Sequence, residues 1–254
     1  MINEPMRGIV QRTIKACAAR DYFKQANWEG ELRRRFGRIR DNLRKDKSSD
    51  AVRKEAEQGF KDLDKKYKTR ATLRNADLFI GTLMEELDRR NWLDSDPPTL
   101  LADTGDLTSA DLISAVIPAI LTGLRAKGRK RDYSLLTKFL YFLYPETFPI
   151  YDARAACSIQ EWAYFSFREK CGEEGKLKAF SVGRISNTDG SGYKNLVEFY
   201  SQFWAAARPE DRLQLQKVAK EMEDIIGGRV TILDLVDKLL WTASGNPVIL
   251  GLLD

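Results

Sequence analysis

The chain has 254 residues, of which 43% are hydrophobic, and its 42 Lys/Arg and 37 Asp/Glu residues give a formal net charge of +5. This length and composition predict one large domain or two small ones around a packed core. The chain contains no histidine, which excludes His-ligated zinc sites, histidine general bases and Ser-His-Asp triads. Any chemistry therefore depends on carboxylates, lysine, tyrosine or a metal ion held by oxygen ligands.

The three cysteines, Cys17, Cys157 and Cys171, have no regular spacing, and no secretory signal pattern is present. We therefore expect a reducing, cytoplasmic compartment and no structural disulfides. No stretch approaches the roughly 18 apolar residues of a membrane span, so no membrane partner is expected.

Two apolar stripes near the N-terminus follow a predicted helix over residues 8–24. Within each stripe the spacings are three or four residues, which is typical of amphipathic helices. The stripes are formed by Trp28, Leu32, Phe36, Ile39 and Leu43, and by Val52, Ala56, Phe60, Leu63 and Tyr67. The short polar connection between them predicts a helical hairpin. We assign residues 1–71 to this N-terminal arm and residues 72–254 to a helical body.

The arm is the most basic part of the chain. Residues 31–70 contain 15 Lys/Arg and 8 Asp/Glu, a surplus of 7, so the rest of the chain sums to 5 − 7 = −2. The outer faces of the hairpin are predicted to hold Arg33, Arg34, Arg35, Arg38, Arg40, Lys54, Lys61, Lys65, Lys66 and Lys68. Such a surplus suggests a polyanionic partner. Two interpretations stay open: a phosphate-binding arm, and a solvated or partner-binding helical surface.

The body continues as a series of helices. Apolar periodicity and capping residues predict them at approximately 72–90, 109–126, 133–143, 153–170, 196–207, 209–226 and 231–241. Residues 91–99 and 183–193 are predicted loops, and no stretch favours a strand. The predicted fold class is therefore all-α.

A basic loop lies between two of these helices. Residues 125–131 contain five cations in seven positions. We expect Lys127, Arg129, Lys130 and Arg131 to contact a DNA backbone, which gives salt-dependent affinity without reading the sequence. The alternatives are an exposed charged loop and a nuclear-type address.

Residues 133–155 carry the pattern on which the predicted chemistry depends. An apolar helix that starts near Tyr133 ends before Pro145, and Pro149 keeps the following linker extended. Asp152 stands where the next apolar helix begins, which is an N-cap position. An apolar wall with one carboxylate at its edge predicts a dry pocket that holds a single charge.

Thr137-Lys138 in an apolar helix, followed by the turn Pro149-Ile150-Tyr151-Asp152 that opens another helix, resembles the helix-hairpin-helix superfamily of DNA glycosylases. The closest similarity is to its 8-oxoguanine-glycosylase-like branch, and it covers roughly residues 110–170. The resemblance implies a multi-helix glycosylase-like bundle, with Asp152 as the catalytic carboxylate and Lys138 as the family lysine. The family's Gly-hydrophobic-Gly turn is absent before the lysine, and the spacing from Lys138 to Asp152 is shorter by about one helical turn.

On this resemblance the chain would be a base-excision enzyme that acts on double-stranded DNA without a cofactor or a metal. Asp152 would stabilise the sugar cation and activate water, and Arg154 would hold Asp152 or a phosphate. The extruded base would stack on aromatic side chains, for which the candidates are Tyr133, Tyr141, Tyr151 and Trp162. The unusual arm and the missing turn suggest a specialised substrate, such as a hypermodified base of phage DNA, in repair or antiviral defence.

Lys138 has two interpretations. As a nucleophile it would need a pKa lowered by desolvation, and it would add strand cleavage to base loss. As a surface lysine it would contact phosphate or solvent. We favour this second interpretation, and we therefore expect a monofunctional enzyme.

Other functions stay open for the same residues. Asp152 is also explained as a plain helix cap, in a helical module that binds DNA or protein without catalysis. Asp152 with Glu174-Gly175-Lys176 loosely matches a metal-dependent nuclease motif, although that motif requires a strand beneath the acids.

Overall fold

The computed structural model describes residues 3–18, 27–67, 76–101, 107–127, 133–167 and 191–244. Within these ranges the chain forms ten α-helices and no strand, so the predicted all-α class is confirmed. The helices are α1 (Asn3–Ala18), α2 (Asn27–Lys45), α3 (Asp50–Tyr67), α4 (Ala76–Arg89), α5 (Leu107–Ala126), α6 (Tyr133–Leu143), α7 (Ala153–Phe167), α8 (Ser191–Ala206), α9 (Pro209–Ile226) and α10 (Ile232–Ala243). The predicted loop at 183–193 begins in residues outside these ranges.

Helices α2 and α3 form the predicted hairpin. Two side-chain pairs join the helices. Asn42 pairs with Glu55 near the connecting turn, and Arg35 pairs with Asp62 nearer the open end, so positions earlier in α2 face positions later in α3. The connecting turn is fixed by Asp46, whose Oδ1 accepts a hydrogen bond from the Ser48 backbone N–H. The hairpin is therefore antiparallel, with its apolar stripes turned inward.

The hairpin shares its apolar core with the rest of the fold. The Phe36 ring of α2 lies 4.9 Å from the Phe139 ring of α6 in a T-shaped arrangement, and the Phe60 ring of α3 lies 4.6 Å from the Phe79 ring of α4. Such aromatic pairs contribute about 0.5–1.5 kcal/mol beyond the burial of their surface. The division of the chain at residue 71 stays a prediction.

Helix α2 crosses the C-terminal end of α9 at a glycine. A Cβ atom at Gly30 would collide with the Ile226 carbonyl oxygen, so only glycine permits this close approach. Helix α9 ends at Gly227, which has a left-handed φ of 73°, as the Gly-Gly pair predicted. Arg34 of α2 donates to the Gly227 carbonyl oxygen, which satisfies one of the free carbonyls at this helix end.

Helix α6 runs through the interior, and all of its residues except Ser134 are buried. Hydrogen bonds from two tyrosine hydroxyls to backbone carbonyls hold the loop that follows it in place. The Tyr144 hydroxyl donates to the Trp92 carbonyl at 2.6 Å, and the Tyr193 hydroxyl donates to the Pro149 carbonyl at 3.3 Å. This anchored loop sets the position at which α7 starts.

Helix α5 corrects the expectation that no stretch of the chain is apolar enough to span a membrane. The α5 segment Ser109–Ala126 is long and apolar enough to cross a membrane by length and composition alone, whereas no such stretch was expected. In the fold, α5 contacts α4, α6 and α8. A core helix passes the same criterion, so the segment is weak evidence for a membrane.

Candidate active site

Asp152 caps α7, as predicted. Its Oδ1 accepts a hydrogen bond from the Arg154 backbone N–H at 2.8 Å, and its carbonyl accepts from the Ala156 N–H at 3.0 Å. The side chain keeps 28% of its surface exposed. Capping uses one carboxylate oxygen, and Oδ2 is turned towards α6.

Lys138 of α6 faces this carboxylate from the interior. Its Nζ lies 3.7 Å from Asp152 Oδ2, donates to Ser134 Oγ at 2.8 Å, and lies 5.1 Å from the centre of the Tyr67 ring. The lysine side chain is only 4% exposed, so its expected surface position is wrong. Burial lowers the pKa of Lys138, and the charges of Asp152 and Asp237 partly oppose that shift.

Arg33 is also buried, which corrects its predicted place on the outer face of the hairpin. Its guanidinium forms a bidentate pair with Asp234 of α10, at 2.5 and 3.1 Å. It also donates to the Tyr141 hydroxyl oxygen at 2.6 Å and to the Arg229 carbonyl at 2.8 Å. A buried cation needs such partners because burial without them is very costly, and here they come from α6 and α10.

A second ion pair joins α2 to α10. Lys238 Nζ lies 2.6 Å from Glu29 Oε1, and Glu29 Oε2 lies 3.5 Å from Arg33 Nη2. Glu29 therefore bridges the two cations, one helical turn from Arg33 on α2. Together these groups hold α10 against α2 next to Lys138.

Asp237 of α10 completes the group of charges that we call the buried charge cluster. Its members are Glu29, Arg33, Lys138 and Asp234, which are buried, and Asp152, Asp237 and Lys238, which are half-buried. The Oδ1 atom of Asp237 is buried and has no hydrogen-bond partner among the described residues. Burial raises the pKa of Asp237 to about 7; the nearby charges of Asp152 and Glu29 act in the same direction, and Lys238 and Lys138 oppose it. When every group is ionised, the four carboxylates and three cations leave one excess negative charge, and a proton on Asp237 would remove it.

The four predicted base-stacking aromatics are not gathered at one place. The Tyr133 and Tyr151 rings meet edge to face at 4.8 Å beside Asp152, and the Tyr133 hydroxyl is buried without a partner in the described part of the chain. Tyr141 instead accepts from Arg33. Trp162 is buried and lies 5.6 Å from the Phe199 ring. Only the Tyr133–Tyr151 pair adjoins the carboxylate.

The predicted DNA-binding residues have different surroundings. Lys127 Nζ donates to Thr82 Oγ1 at 3.0 Å and to Glu85 at 3.1 Å on α4. The Arg154 guanidinium lies 4.6 Å from the centre of the Trp241 ring, which is 45% exposed. This cation–π contact does not use the Asp152 carboxylate. The remaining members, Arg129, Lys130 and Arg131, lie outside the described residues.

No group of three or more His, Cys, Asp or Glu side chains suited to a metal ion occurs within residues 3–18, 27–67, 76–101, 107–127, 133–167 and 191–244. In the buried charge cluster the carboxylates already face lysine or arginine, apart from Asp237. The nuclease motif also requires Glu174 and Lys176, which fall in the undescribed range 168–190.

Comparison of the chain with protein-family models, with curated proteins and with solved structures gives no match. The glycosylase resemblance therefore depends on the residues of this chain alone.

Proposed function

We propose that this protein is a DNA glycosylase that removes a modified or damaged base, with Asp152 as its catalytic carboxylate. The observation that supports the proposal is the 3.7 Å separation between Lys138 Nζ and Asp152 Oδ2. These are the two residues that the family resemblance pairs, and they come from different helices. A buried lysine with a lowered pKa beside a partly exposed carboxylate is an arrangement suited to catalysis.

Base excision breaks the bond between C1′ of the sugar and a nitrogen of the base. The base departs with the bonding electron pair, and positive charge develops on C1′ and the ring oxygen. Asp152 Oδ2 would stabilise that charge and accept the proton of the attacking water, as carboxylates do in glycoside hydrolysis. The carboxylate is fixed by its capping hydrogen bond, so little reorganisation is needed during the reaction.

Lys138 offers a second route that uses the same carboxylate. A neutral amine would attack C1′ directly as the base departs, and Asp152 would take up a proton that the amine then loses. Breaking of the C1′–O4′ bond, with the proton passing from Asp152 to O4′, then opens the sugar ring and gives an imine, which permits strand cleavage by β-elimination. The monofunctional interpretation depended on a lysine near solvent, and the burial of Lys138 removes that reason.

We further propose double-stranded DNA with an altered base as the substrate, including hypermodified phage DNA. A base must leave the helix before its sugar can reach Asp152, and extrusion costs least where pairing is already weak. The Tyr133–Tyr151 pair offers an aromatic surface next to the carboxylate. The phage hypothesis rests on the departures of the sequence from the family pattern.

The test compares duplexes carrying ordinary damaged bases with DNA from phages that contain modified bases, all in EDTA. A glycosylase leaves abasic sites that alkali converts to breaks. Direct breaks that stop in EDTA would instead indicate a metal nuclease. A gel shift without base loss from any substrate would indicate a binding module. Release from damaged oligonucleotides but not from phage DNA would reject only the phage hypothesis.

A further inference from the structure

A cavity of about 230 Å³ lies between α2 and the turn that joins α9 to α10. Half of its lining residues are arginines and none is acidic. The lining consists of Arg33, Arg34, Gly37, Arg40, Phe142, Pro145, Gly228 and Arg229. We call this cavity the arginine pocket. Neither Lys138 nor Asp152 lines it, and Arg33 is the one lining residue that it shares with the buried charge cluster.

Three of the arginines have weak or replaceable partners. Arg34 is exposed and donates to the Gly227 carbonyl oxygen, without a carboxylate partner among the described residues. Arg40 forms its hydrogen bonds and ion pair, among the described residues, with its neighbour Asp41 at 3.4 Å. Arg229 is 59% exposed and pairs with Glu146, which is 43% exposed. Exposed ion pairs contribute little to stability, so these guanidinium groups are free to exchange partners.

The fourth arginine, Arg33, is fixed in the interior by Asp234 and Tyr141. Its Nε is buried and has no hydrogen-bond partner in the described part of the chain. A buried donor without a partner is unusual and requires an explanation. Arg33 also lines the adjoining cavity, so a ligand bound there would lie near this donor.

The pocket also contains a glycine that the helix itself does not require. Gly37 lies inside α2, where glycine is less stable than alanine. A Cβ atom at Gly37 would meet no other atom within 4 Å. Packing therefore does not explain the glycine, and its absent side chain keeps this part of the pocket open.

We propose that the arginine pocket binds a phosphate group. Planar guanidinium groups match the oxygens of a phosphate through paired hydrogen bonds. The cavity is smaller than the roughly 300–1,000 Å³ of most small-molecule sites, which suits one or two phosphate groups better than a whole nucleotide. The phosphate belongs either to a DNA backbone or to a free phosphate compound. The proposal does not depend on the glycosylase activity.

The test measures the binding of inorganic phosphate by calorimetry, at constant ionic strength, and the binding of an unmodified DNA duplex by fluorescence anisotropy. The variants are the double substitution Arg34→Gln with Arg40→Gln, and Gly37→Glu, which introduces a carboxylate into the pocket. Their matched controls are Arg38→Gln, an exposed arginine of α2 outside the lining, and Gly37→Ala. A melting curve establishes that each variant is folded. If loss of the Arg34 hydrogen bond to the Gly227 carbonyl unfolds the double variant, Gly37→Glu alone tests the pocket.

We expect the wild type to bind phosphate and the pocket variants to bind it at least 10-fold more weakly, with the controls changed less than 2-fold. Loss of both phosphate and duplex affinity, or of duplex affinity alone, assigns the pocket to a DNA backbone phosphate. Loss of phosphate binding alone assigns it to a free phosphate compound. If the variants match their controls in both measurements, or if the wild type binds neither probe, the proposal is wrong.

Discussion

Lys138 Nζ lies 3.7 Å from Asp152 Oδ2, and the lysine is buried whereas the carboxylate reaches the surface. The pair lies at the start of α7, with the amine on the inner side and the carboxylate on the outer side. A substrate that approaches from solvent would meet the acid first and the amine behind it. The first two predictions concern this pair.

Asp152→Asn should lower the rate of base release by at least about 100-fold, because asparagine cannot stabilise a sugar cation or accept a proton. Asparagine is as good an N-cap as aspartate, so the cap is kept. The free energy of unfolding should fall by no more than about 3 kcal/mol, through loss of the ion pair with the buried Lys138. Alkali-labile sites and urea denaturation measure the two effects. The control is Asp46→Asn. Asp46 also accepts a hydrogen bond from the backbone N–H two residues after it, but it lies in the α2–α3 turn, more than 100 residues before Asp152 in the chain. Release that survives Asp152→Asn would remove Asp152 from the active site.

Borohydride should trap the wild-type protein on a duplex containing its substrate base, because a buried amine with a lowered pKa forms an imine with C1′. Lys138→Gln should abolish the covalent adduct, which is detected as a band of reduced mobility on a denaturing gel. Lys127→Gln is the control, because Lys127 pairs with residues of α4. Base release without any adduct from the wild type would restore the monofunctional interpretation.

Asp237 should give the protein a distinctive dependence of stability on pH. Its pKa is about 7 in the folded state and near its usual 3.8 in the unfolded state. Between these values the folded state holds one proton more, so the stability contributed by this group is present below pH 4 and is lost as pH rises through 7. The slope is up to about 1.4 kcal/mol per pH unit. Asp237→Asn should remove this slope from urea denaturation series at pH 5, 6 and 7, and an unchanged slope would contradict the assignment.

Arg33→Met should destabilise the protein by about 3–5 kcal/mol, because Asp234 would stay buried without its cation, whereas Glu29 would keep only Lys238. Guanidinium denaturation measures the loss. Adding Asp234→Asn should recover part of it, since the second substitution removes the unpaired charge. Arg38→Gln on the exposed side of α2 should change stability by less than about 0.5 kcal/mol. A loss no larger for Arg33→Met than for Arg38→Gln would mean that the buried pairing does not hold in solution.

Two glycines of the same helix should respond in opposite ways to alanine. Gly30→Ala should destabilise the fold by about 1–3 kcal/mol, because its Cβ would collide with the Ile226 carbonyl. Gly37→Ala should stabilise it by up to about 1 kcal/mol, because the position is open and alanine favours a helix. Thermal melting of the two variants decides the point, and equal effects would contradict the close crossing of α2 and α9.

Much of the secondary structure was predictable because its signals are local. The stripe from Leu32 to Leu43 marks α2, the Gly227-Gly228 pair ends α9, and Thr231 with Asp234 forms a capping box for α10. Asp152 was predicted as an N-cap by the same kind of reasoning. The finer prediction of a glycosylase-like bundle stays a prediction, because how helices pack depends on contacts between distant segments.

Sequence analysis did not predict the buried charge cluster, because a charged residue at each of these positions is common on an exposed helical surface. Arg33 stands in a run of three arginines, two of which are not buried, and the sequence predicts all three on the outer face of the hairpin. A signal was present in α10, where Asp234, Asp237 and Lys238 repeat at three and four residues within an otherwise apolar helix. Charges at that spacing on an apolar helix indicate partners inside the protein, and those of α10 lie on α2, some 200 positions earlier in the chain.

The contribution of α2 to this interior has a practical consequence for shortening the protein. A fragment beginning at residue 72 would keep Asp234 and Lys238 but lose Arg33 and Glu29, the groups that neutralise them. It would also uncover the Phe139 ring against which Phe36 rests. Expression trials of residues 72–254 should therefore supply residues 27–67 as a separate polypeptide, so that the ion pairs Arg33–Asp234 and Glu29–Lys238 can form between the two fragments.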